Sequence, residues 1–185
     1  LVRCGDGHVT GGGLAGDQPA VNALRVGVAD RRRRLGVGVQ RRAAAAVGDL
    51  PPPRRADAAL ETALLLRARD IANCALIGEH GLALLRALKP VGPLQIMTHC
   101  NAGWLATIEW GTALAPVYKA HAAGIAVHVW VSETRPRNQG MNLTAWELQR
   151  AGVPCTIVTD NSCGQLLRQR AVDCVLVGSD RTAAN

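Results

Sequence analysis

Several residue types are scarce in this sequence, and each shortage argues against a class of protein. Phenylalanine is absent and tyrosine occurs once, so the aromatic residues on which RNA-binding domains stack bases are scarce. Apolar runs reach about five to seven residues, far short of the roughly 20 that a membrane-spanning helix needs. No apolar segment typical of a secretory signal peptide follows the N-terminus. We therefore expect neither a nucleic acid nor a membrane as a partner.

Cysteine is present but shows no recognisable framework. The six cysteines form no C-x-x-C pair, which argues against a zinc site. Nothing in their spacing resembles the disulfide framework of a small secreted protein. We therefore expect reduced thiols, a cytoplasmic location and no bound metal.

Arginine supplies almost all of the positive charge. Lys89 and Lys119 are the only lysines among 21 basic residues, and the formal net charge is +7. Residues 1–70 hold 12 arginines against 7 acidic residues, and only Arg31–Arg34 forms a dense basic run. With so few aromatic residues beside it, we interpret the basic excess as a compositional preference for arginine rather than as a nucleic-acid-binding surface.

The hydrophobic pattern changes near Pro90–Pro93. Before this point, the apolar spacing predicts helices over residues 19–35, 56–73 and 78–88. After it, short β-branched runs predict strands over residues 94–98, 125–131, 153–159 and 172–178, with helices between them. The fold class predicted is therefore α/β. A partial, mostly helical N-terminal domain over residues 1–92 precedes a partial Rossmann-like catalytic domain over residues 93–185, a parallel sheet with flanking helices.

Local signals also predict how the helices of the second part begin. A helix over residues 104–123 would place Cys100 just before a helix N-terminus, where the helix dipole and free N–H groups make a thiol reactive. Thr144 and Glu147 match a capping box at the start of a further helix, with Leu143 and Leu148 where a hydrophobic staple belongs.

Polar residues follow all four predicted strands, over residues 98–103, 132–140, 159–162 and 178–182. Open parallel sheets bind ligands at this edge. Position alone leaves the roles open: Cys100 is either reactive or an inert half-buried thiol, Asp160 either orients a ligand or caps a helix, and Asp180 is either an acid/base or a cap. Gly103 and Gln139, which precedes a glycine, are typical of loops that approach a phosphate closely.

Longer motifs at the same strand ends resemble the S-methyl-5-thioribose-1-phosphate isomerase family, which also holds the regulatory subunits of initiation factor 2B. The resemblance covers about residues 70–185, with a weaker match at Pro19–Asn22. It rests on these segments: Ile77–Gly81 (IGEHG), Thr98–Gly103 (THCNAG), Trp110–Leu114 (WGTAL), Glu133–Gly140 (ETRPRNQG), Leu143–Leu148 (LTAWEL), Asp160–Asn161 and Gly178–Arg181 (GSDR).

The resemblance implies an aldose–ketose isomerase of methionine salvage, which converts S-methyl-5-thioribose 1-phosphate into S-methyl-5-thioribulose 1-phosphate. It implies Asp180 as the acid/base and Cys100 as the second catalytic residue, with Gln139, Asn101 and Gly103 binding the substrate. It implies a homodimer and neither a metal nor an organic cofactor. The alternatives are a ribose 1,5-bisphosphate isomerase and a non-catalytic regulatory subunit, and the presence of both Cys100 and Asp180 argues against the second.

The sequence departs from the family pattern where the substrate phosphate is held. The family's Arg-Gly-Ala-Pro loop is not found, Gln18 replaces an arginine, and Ser132 stands where aspartate is usual. The family's Asn-Lys pair would come after Asn185. We therefore expect these 185 residues to be a piece of a longer enzyme, with a catalytic domain truncated at its C-terminus and little activity by itself.

Overall fold

The computed structural model describes residues 2–3, 47–88 and 92–179. The helix predicted over residues 19–35, the basic run Arg31–Arg34 and the candidate acid/base Asp180 lie outside these residues. Within them, the chain alternates helices and strands in the order expected of an α/β fold.

The first long element is a single α-helix, α1, over Pro52–Leu88. The prediction of two helices over residues 56–73 and 78–88 is wrong, because no proline or other helix-breaking signal separates them. Pro52 and Pro53 begin the helix rather than interrupt it, since the first turn of a helix needs no N–H donors. The helix ends at Leu88, where Lys89 precedes Pro90, and a residue before proline disfavours helical dihedrals.

One face of the C-terminal half of α1 is buried, and three of its four buried residues are small. Cys74, Gly78, Gly81 and Leu85 are the buried residues of the helix. A Cβ on Gly81 would lie 2.2 Å from Cγ of Pro116, so only glycine permits this close approach. By length and composition alone, α1 would also pass as a membrane-spanning helix. This is weak evidence, since core helices of soluble proteins pass the same test, and the absence of a membrane partner stays a prediction.

The part of the chain that the structure describes has five strands: β1 Val2–Arg3, β2 Leu94–Thr98, β3 Val127–Ser132, β4 Cys155–Val158 and β5 Cys174–Val175. They form one sheet in the order β1-β4-β3-β2-β5. Strands β2 to β5 pair in parallel, and β1 runs antiparallel along β4. The predicted α/β class with a parallel sheet and flanking helices is confirmed, and β2 has the bounds that the sequence predicts.

Three short α-helices connect the parallel strands: α2 over Ala115–Ala122, α3 over Ala145–Arg150 and α4 over Cys163–Arg168. The helix predicted over residues 104–123 is wrong in its first half, which holds only a 3-10 turn at Trp104–Ala106. Trp110 and Gly111 have φ values of 67° and 77°, and such left-handed residues cannot continue a right-handed helix. The α-helix begins only where Pro116 occupies its first turn.

The start of α3 also differs from the prediction. A π-helical turn over Gly140–Thr144 leads directly into α3. Thr144 already has helical dihedrals, with φ −62° and ψ −46°, and its side chain makes no cap hydrogen bond. The predicted capping box of Thr144 and Glu147 is therefore wrong, and both side chains serve the loop after β2 instead.

The core lies between the sheet and its helices. Its fully buried members include Leu94, Ile96 and Val129 from the strands, with Leu114 and Leu148 from the flanking segments. The described residues fall into two compact units, one comprising Val2–Arg3 with Cys74–Gly178 and the other comprising residues 47–73 with Ser179. The predicted domain boundary between residues 92 and 93 stays a prediction.

Candidate active site

The order of the parallel strands reverses direction at β2. From β2 the chain proceeds to β3 and β4 on one side, whereas β5 lies on the other side of β2. Such a reversal is the point at which open parallel sheets bind their ligands. Cys100 follows β2 at this point, and Gly178 follows β5. A Cβ on Gly178 would lie 3.3 Å from that of Ala102, so the segments that leave β2 and β5 come close together at this point.

Cys100 is half-buried and has a left-handed backbone conformation, with φ 63°. Its N–H donates to Oγ1 of Thr134 over 2.8 Å. Its carbonyl oxygen accepts from Oγ1 of Thr144 over 2.6 Å. Both threonines are buried. The backbone of the candidate catalytic residue is therefore held by side chains from the segments that follow β3.

Asp160 organises the loop after β3. Its carboxylate accepts hydrogen bonds from the Ser132 hydroxyl, from the Thr134 N–H over 2.9 Å and from the Arg135 N–H over 2.7 Å. The Ser132 hydrogen bond, followed by those of the Arg135 and Thr134 amides, lowers the pKa of Asp160 below its ordinary value. Nδ1 of His99 lies 2.9 Å from Oγ of Ser132. One carboxylate thus ties together the ends of β2, β3 and β4.

Glu147 is fully buried beneath the loop after β2. Oε1 accepts from Nδ2 of Asn101 over 2.8 Å and from the Leu105 N–H over 3.0 Å. Oε2 accepts from the Trp104 N–H over 2.8 Å and from the Tyr118 hydroxyl over 3.0 Å. Four donors therefore satisfy the carboxylate, two at each oxygen. Burial, and then the charge of Glu147, raises the pKa of Tyr118 well above its ordinary value, so the phenol keeps its proton.

Asn101 and Gly103, two of the predicted substrate-binding residues, lie at this edge of the sheet and contact the buried Glu147. Nδ2 of Asn101 donates to Glu147 and, over 3.2 Å, to Oγ1 of Thr144, so the amide nitrogen is directed inward. Gly103 has a packing reason to be glycine, because a Cβ there would lie 1.9 Å from Oε2 of Glu147. Their roles in substrate binding stay predictions.

Gln139 lies in the loop that β3 and the π-helical turn enclose. With its amide oriented by its neighbours, the nitrogen donates to the Thr134 carbonyl over 3.3 Å and the oxygen accepts from Nε of Arg137 over 3.1 Å. The half-buried side chain therefore belongs to the same loop as the threonine that bonds Cys100. Its predicted contact with substrate stays a prediction.

The helix terminus expected beside Cys100 is replaced by the 3-10 turn that begins at Trp104. The N–H groups of Trp104 and Leu105 are taken by Glu147, so they do not face the thiol. The argument from a helix dipole is therefore wrong for Cys100. Sequence reasoning missed the roles of Thr134 and Thr144. The spacing of Thr144 and Glu147 was a signal, but it fits a capping box equally well.

The other cysteines of the described residues have structural surroundings. Cys74, Cys155 and Cys174 are buried, and Cys163 is half-buried. Burial is the largest effect on two of these thiols, raising the pKa of Cys174 to about 12 and that of Cys163 above its ordinary value. Across residues 2–3, 47–88 and 92–179, no three His, Cys, Asp or Glu side chains come together as metal ligands.

A separate groove of about 520 Å³ lies beside α2. Trp104, Trp110, Tyr118 and His121 are among the residues that line it. Nζ of Lys119 lies 4.5 Å from the centre of the Trp110 ring, which is the geometry of a cation–π contact. Of the candidate site residues that the structure describes, Cys100, Asn101, Gly103 and Gln139, none lines this groove.

The fold and the site together define a Rossmann-like α/β domain with a cysteine-bearing loop at the point where the strand order reverses. A protein-family model described as "Initiation factor 2 subunit family" matches residues 44–185. Because this match covers most of the sequence, the chain belongs to that family.

Curated relatives in this family carry an enzyme name. The chain is 56% identical over 139 residues to a methylthioribose-1-phosphate isomerase of Methylocella silvestris, a match that covers 73% of the chain and 38% of the relative. It is 59% identical over 138 residues to the protein of that name from Dechloromonas aromatica, covering 74% of the chain and 38% of the relative. The chain therefore spans about two fifths of the length of these relatives.

Two solved structures share the fold. The 5-methylthioribose 1-phosphate isomerase of Pyrococcus horikoshii is 31% identical, with a TM-score of 0.68 over 78% of this chain and 40% of that one. The delta subunit of translation initiation factor eIF-2B from A. fulgidus is 39% identical, with a TM-score of 0.61 over 70% of this chain and 36% of that one. Structural likeness alone does not separate the enzyme from the initiation-factor subunit.

Proposed function

We propose that the protein to which this chain belongs is an aldose–ketose isomerase that converts S-methyl-5-thioribose 1-phosphate into S-methyl-5-thioribulose 1-phosphate, a step of methionine salvage. The observation that carries the proposal is the 56–59% identity to relatives named methylthioribose-1-phosphate isomerase. The cysteine-bearing loop at the reversal of strand order supports it, because this edge of a parallel sheet is where ligands bind.

The chemistry explains why a cysteine and an aspartate are proposed as partners. The anomeric oxygen of the substrate carries phosphate, so the ring cannot open by simple loss of a hydroxyl proton. An acid must protonate the ring oxygen, and a second group must help to move hydrogen between C2 and C1. In this proposal Asp180 is the acid/base and Cys100 the second catalytic residue, while Gln139, Asn101 and Gly103 bind the sugar phosphate.

The proposal includes a homodimer in the cytoplasm, with a small-molecule sugar phosphate as the substrate and with neither nucleic acid nor a membrane as a partner. It requires no metal and no organic cofactor. The alternative is a non-catalytic regulatory subunit, favoured by the 39% identity to the initiation-factor delta subunit. The presence of both Cys100 and Asp180, the proposed catalytic pair, argues against that alternative.

The test is an isomerase assay on the full-length gene product, with S-methyl-5-thioribose 1-phosphate and ribose 1,5-bisphosphate supplied separately. We expect turnover of the first substrate and a loss of about 1,000-fold or more in kcat in Cys100→Ser and in Asp180→Asn. Cys163→Ser is the matched control, and we expect it to retain the wild-type rate. Wild-type rates in Cys100→Ser or Asp180→Asn would contradict the proposed pair. An inactive full-length protein would favour the regulatory subunit, and turnover of ribose 1,5-bisphosphate alone would favour the other isomerase.

A further inference from the structure

Cys100 has a conformation that a residue with a side chain rarely adopts. Its φ of 63° lies in the left-handed region, where Cβ crowds the following carbonyl. Non-glycine residues remain there only when their surroundings impose it. The hydrogen bonds around Cys100 show what imposes it here.

The direction of each hydrogen bond is fixed by the chemistry of the groups. Oγ1 of Thr134 donates its single proton to the Ser132 carbonyl over 3.1 Å, so it is an acceptor toward the Cys100 N–H. A carbonyl can only accept, so Oγ1 of Thr144 donates to the oxygen of Cys100. Each polar group of the Cys100 backbone is thereby bonded to a threonine hydroxyl from another segment.

The two threonines are themselves fixed. The Thr134 N–H donates to Asp160, and Thr134 also has a left-handed φ, of 66°. Oγ1 of Thr144 accepts from the Asn101 amide, which is bonded in turn to the buried Glu147. Neither hydroxyl can therefore rotate away without breaking a second hydrogen bond.

We propose that Thr134 and Thr144 form a clamp on the Cys100 backbone that sets the direction of its thiol, which makes them positioning residues for the isomerisation. The catalytic part of this inference rests on the proposed function, whereas the clamp itself does not. Without the Thr134 hydroxyl, the Cys100 N–H loses its partner and the residue relaxes out of the left-handed region. That change rotates the Cα–Cβ bond and displaces Sγ.

The kinetic test uses the full-length protein with Thr134→Val, which keeps the shape of the side chain but removes the hydroxyl. We expect kcat to fall by about 100-fold while KM changes by about twofold at most, because a misplaced catalytic group affects the reaction more than substrate binding. Thr144→Val should have the same effect. Thr134→Ser and Thr144→Ser retain the hydroxyl and should restore most of kcat.

Thr156→Val is the matched control. Thr156 is buried on β4, and its hydroxyl bonds to Nε2 of His128 over 2.9 Å, away from Cys100. This variant removes a comparable buried hydrogen bond, so we expect a similar loss of stability without the fall in kcat. An equal fall in kcat in Thr156→Val would show that the valine variants act through stability and would overturn the positioning role.

A second measurement needs no substrate. Hydrogen exchange of the Cys100 amide should be at least about 10-fold faster in Thr134→Val than in the wild type, because its acceptor is gone. The rate should stay at the wild-type value in Thr134→Ser and Thr156→Val. Unchanged exchange in Thr134→Val would overturn the clamp. If the wild-type protein does not isomerise the substrate, the proposed function fails, and the exchange measurement still decides whether the clamp exists.

Discussion

The replacement Glu147→Gln is a sharp test of how the loop that carries Cys100 is held. Glutamine has the same shape as glutamate, but one of its terminal atoms is an NH2 group that donates. Each oxygen of Glu147 accepts two hydrogen bonds, so the NH2 group must face two donors in either orientation. The more favourable orientation places it at the Oε2 position, because the Tyr118 hydroxyl can reverse and accept. The Trp104 N–H then faces a donor with no acceptor in reach.

The cost follows from this count. Hydrogen bonds to a carboxylate contribute about 1.5–3 kcal/mol each, against about 0.5–1.5 for a neutral acceptor, and a buried donor without a partner costs about 1–3 kcal/mol. Three weakened bonds and one lost bond give an expected destabilisation of about 3–5 kcal/mol. Glu147→Ala would leave all four donors without their acceptor and create a cavity, so it should be more destabilising than Glu147→Gln.

The assay is urea unfolding of the full-length protein, monitored by tryptophan fluorescence. Trp104 and Trp146 lie near the loop, with ring centres 5.7 Å apart. Glu79→Gln is the control, because Glu79 is exposed and only pairs with Lys119 over 3.5 Å. It should change the free energy of unfolding by less than about 0.5 kcal/mol. If Glu147→Gln also changes it by less than about 1 kcal/mol, the four-donor account of Glu147 is wrong.

Two further predictions concern the same edge of the sheet. Gly103→Ala should lower the free energy of unfolding by about 2–4 kcal/mol, because the added Cβ would collide with Glu147. The control is Gly164→Ala in α4, where the added Cβ meets open space, and this variant should be neutral or stabilising by about 0.5–1 kcal/mol. Equal effects of the two variants in urea unfolding would refute the collision. Asp160 has a pKa below its ordinary value of 3.8, so its stabilisation is present above that pH and is lost as the pH falls through the lowered pKa. Stability measured from pH 6 down to pH 2 should therefore fall less steeply in Asp160→Asn than in the wild type, and parallel profiles would show that the carboxylate contributes nothing.

The sheet and the polar residues at its carboxyl edge were predictable from the sequence, but the hydrogen bonds that hold the loops of the candidate site were not. Leu94–Thr98 is a short, mostly apolar run after the segment Pro-Val-Gly-Pro at Pro90–Pro93, and such a signal is local. Glu147 matches a capping box by spacing, yet its partners lie 29 to 46 residues earlier in the chain. A local signal cannot show that three donors of a distant loop and the Tyr118 hydroxyl of α2 compete for the same carboxylate.

The same reasoning explains the helix that the sequence overestimates. Residues 104–114 have helical apolar spacing, but Trp110 and Gly111 adopt left-handed conformations. The Thr112 N–H donates to the Ala102 carbonyl over 2.9 Å, which folds this segment back on the loop after β2. Tertiary hydrogen bonds therefore replace the helical ones, and periodicity alone does not reveal this.

The hydrogen bonds of the clamp, and the one between Trp104 and Glu147 beside it, join residues far apart in the sequence, which has a consequence for how the protein folds. The Cys100 N–H bonds to a residue 34 positions later, its carbonyl to one 44 positions later, and the Trp104 N–H to one 43 positions later. Contacts between such distant residues form late, because the intervening loop must close first. During synthesis, the segment around Cys100 is made well before residue 147 and cannot reach its final shape until that residue has joined it. The direction of the thiol is therefore set only after the loop that follows β2 has joined the segments that follow β3.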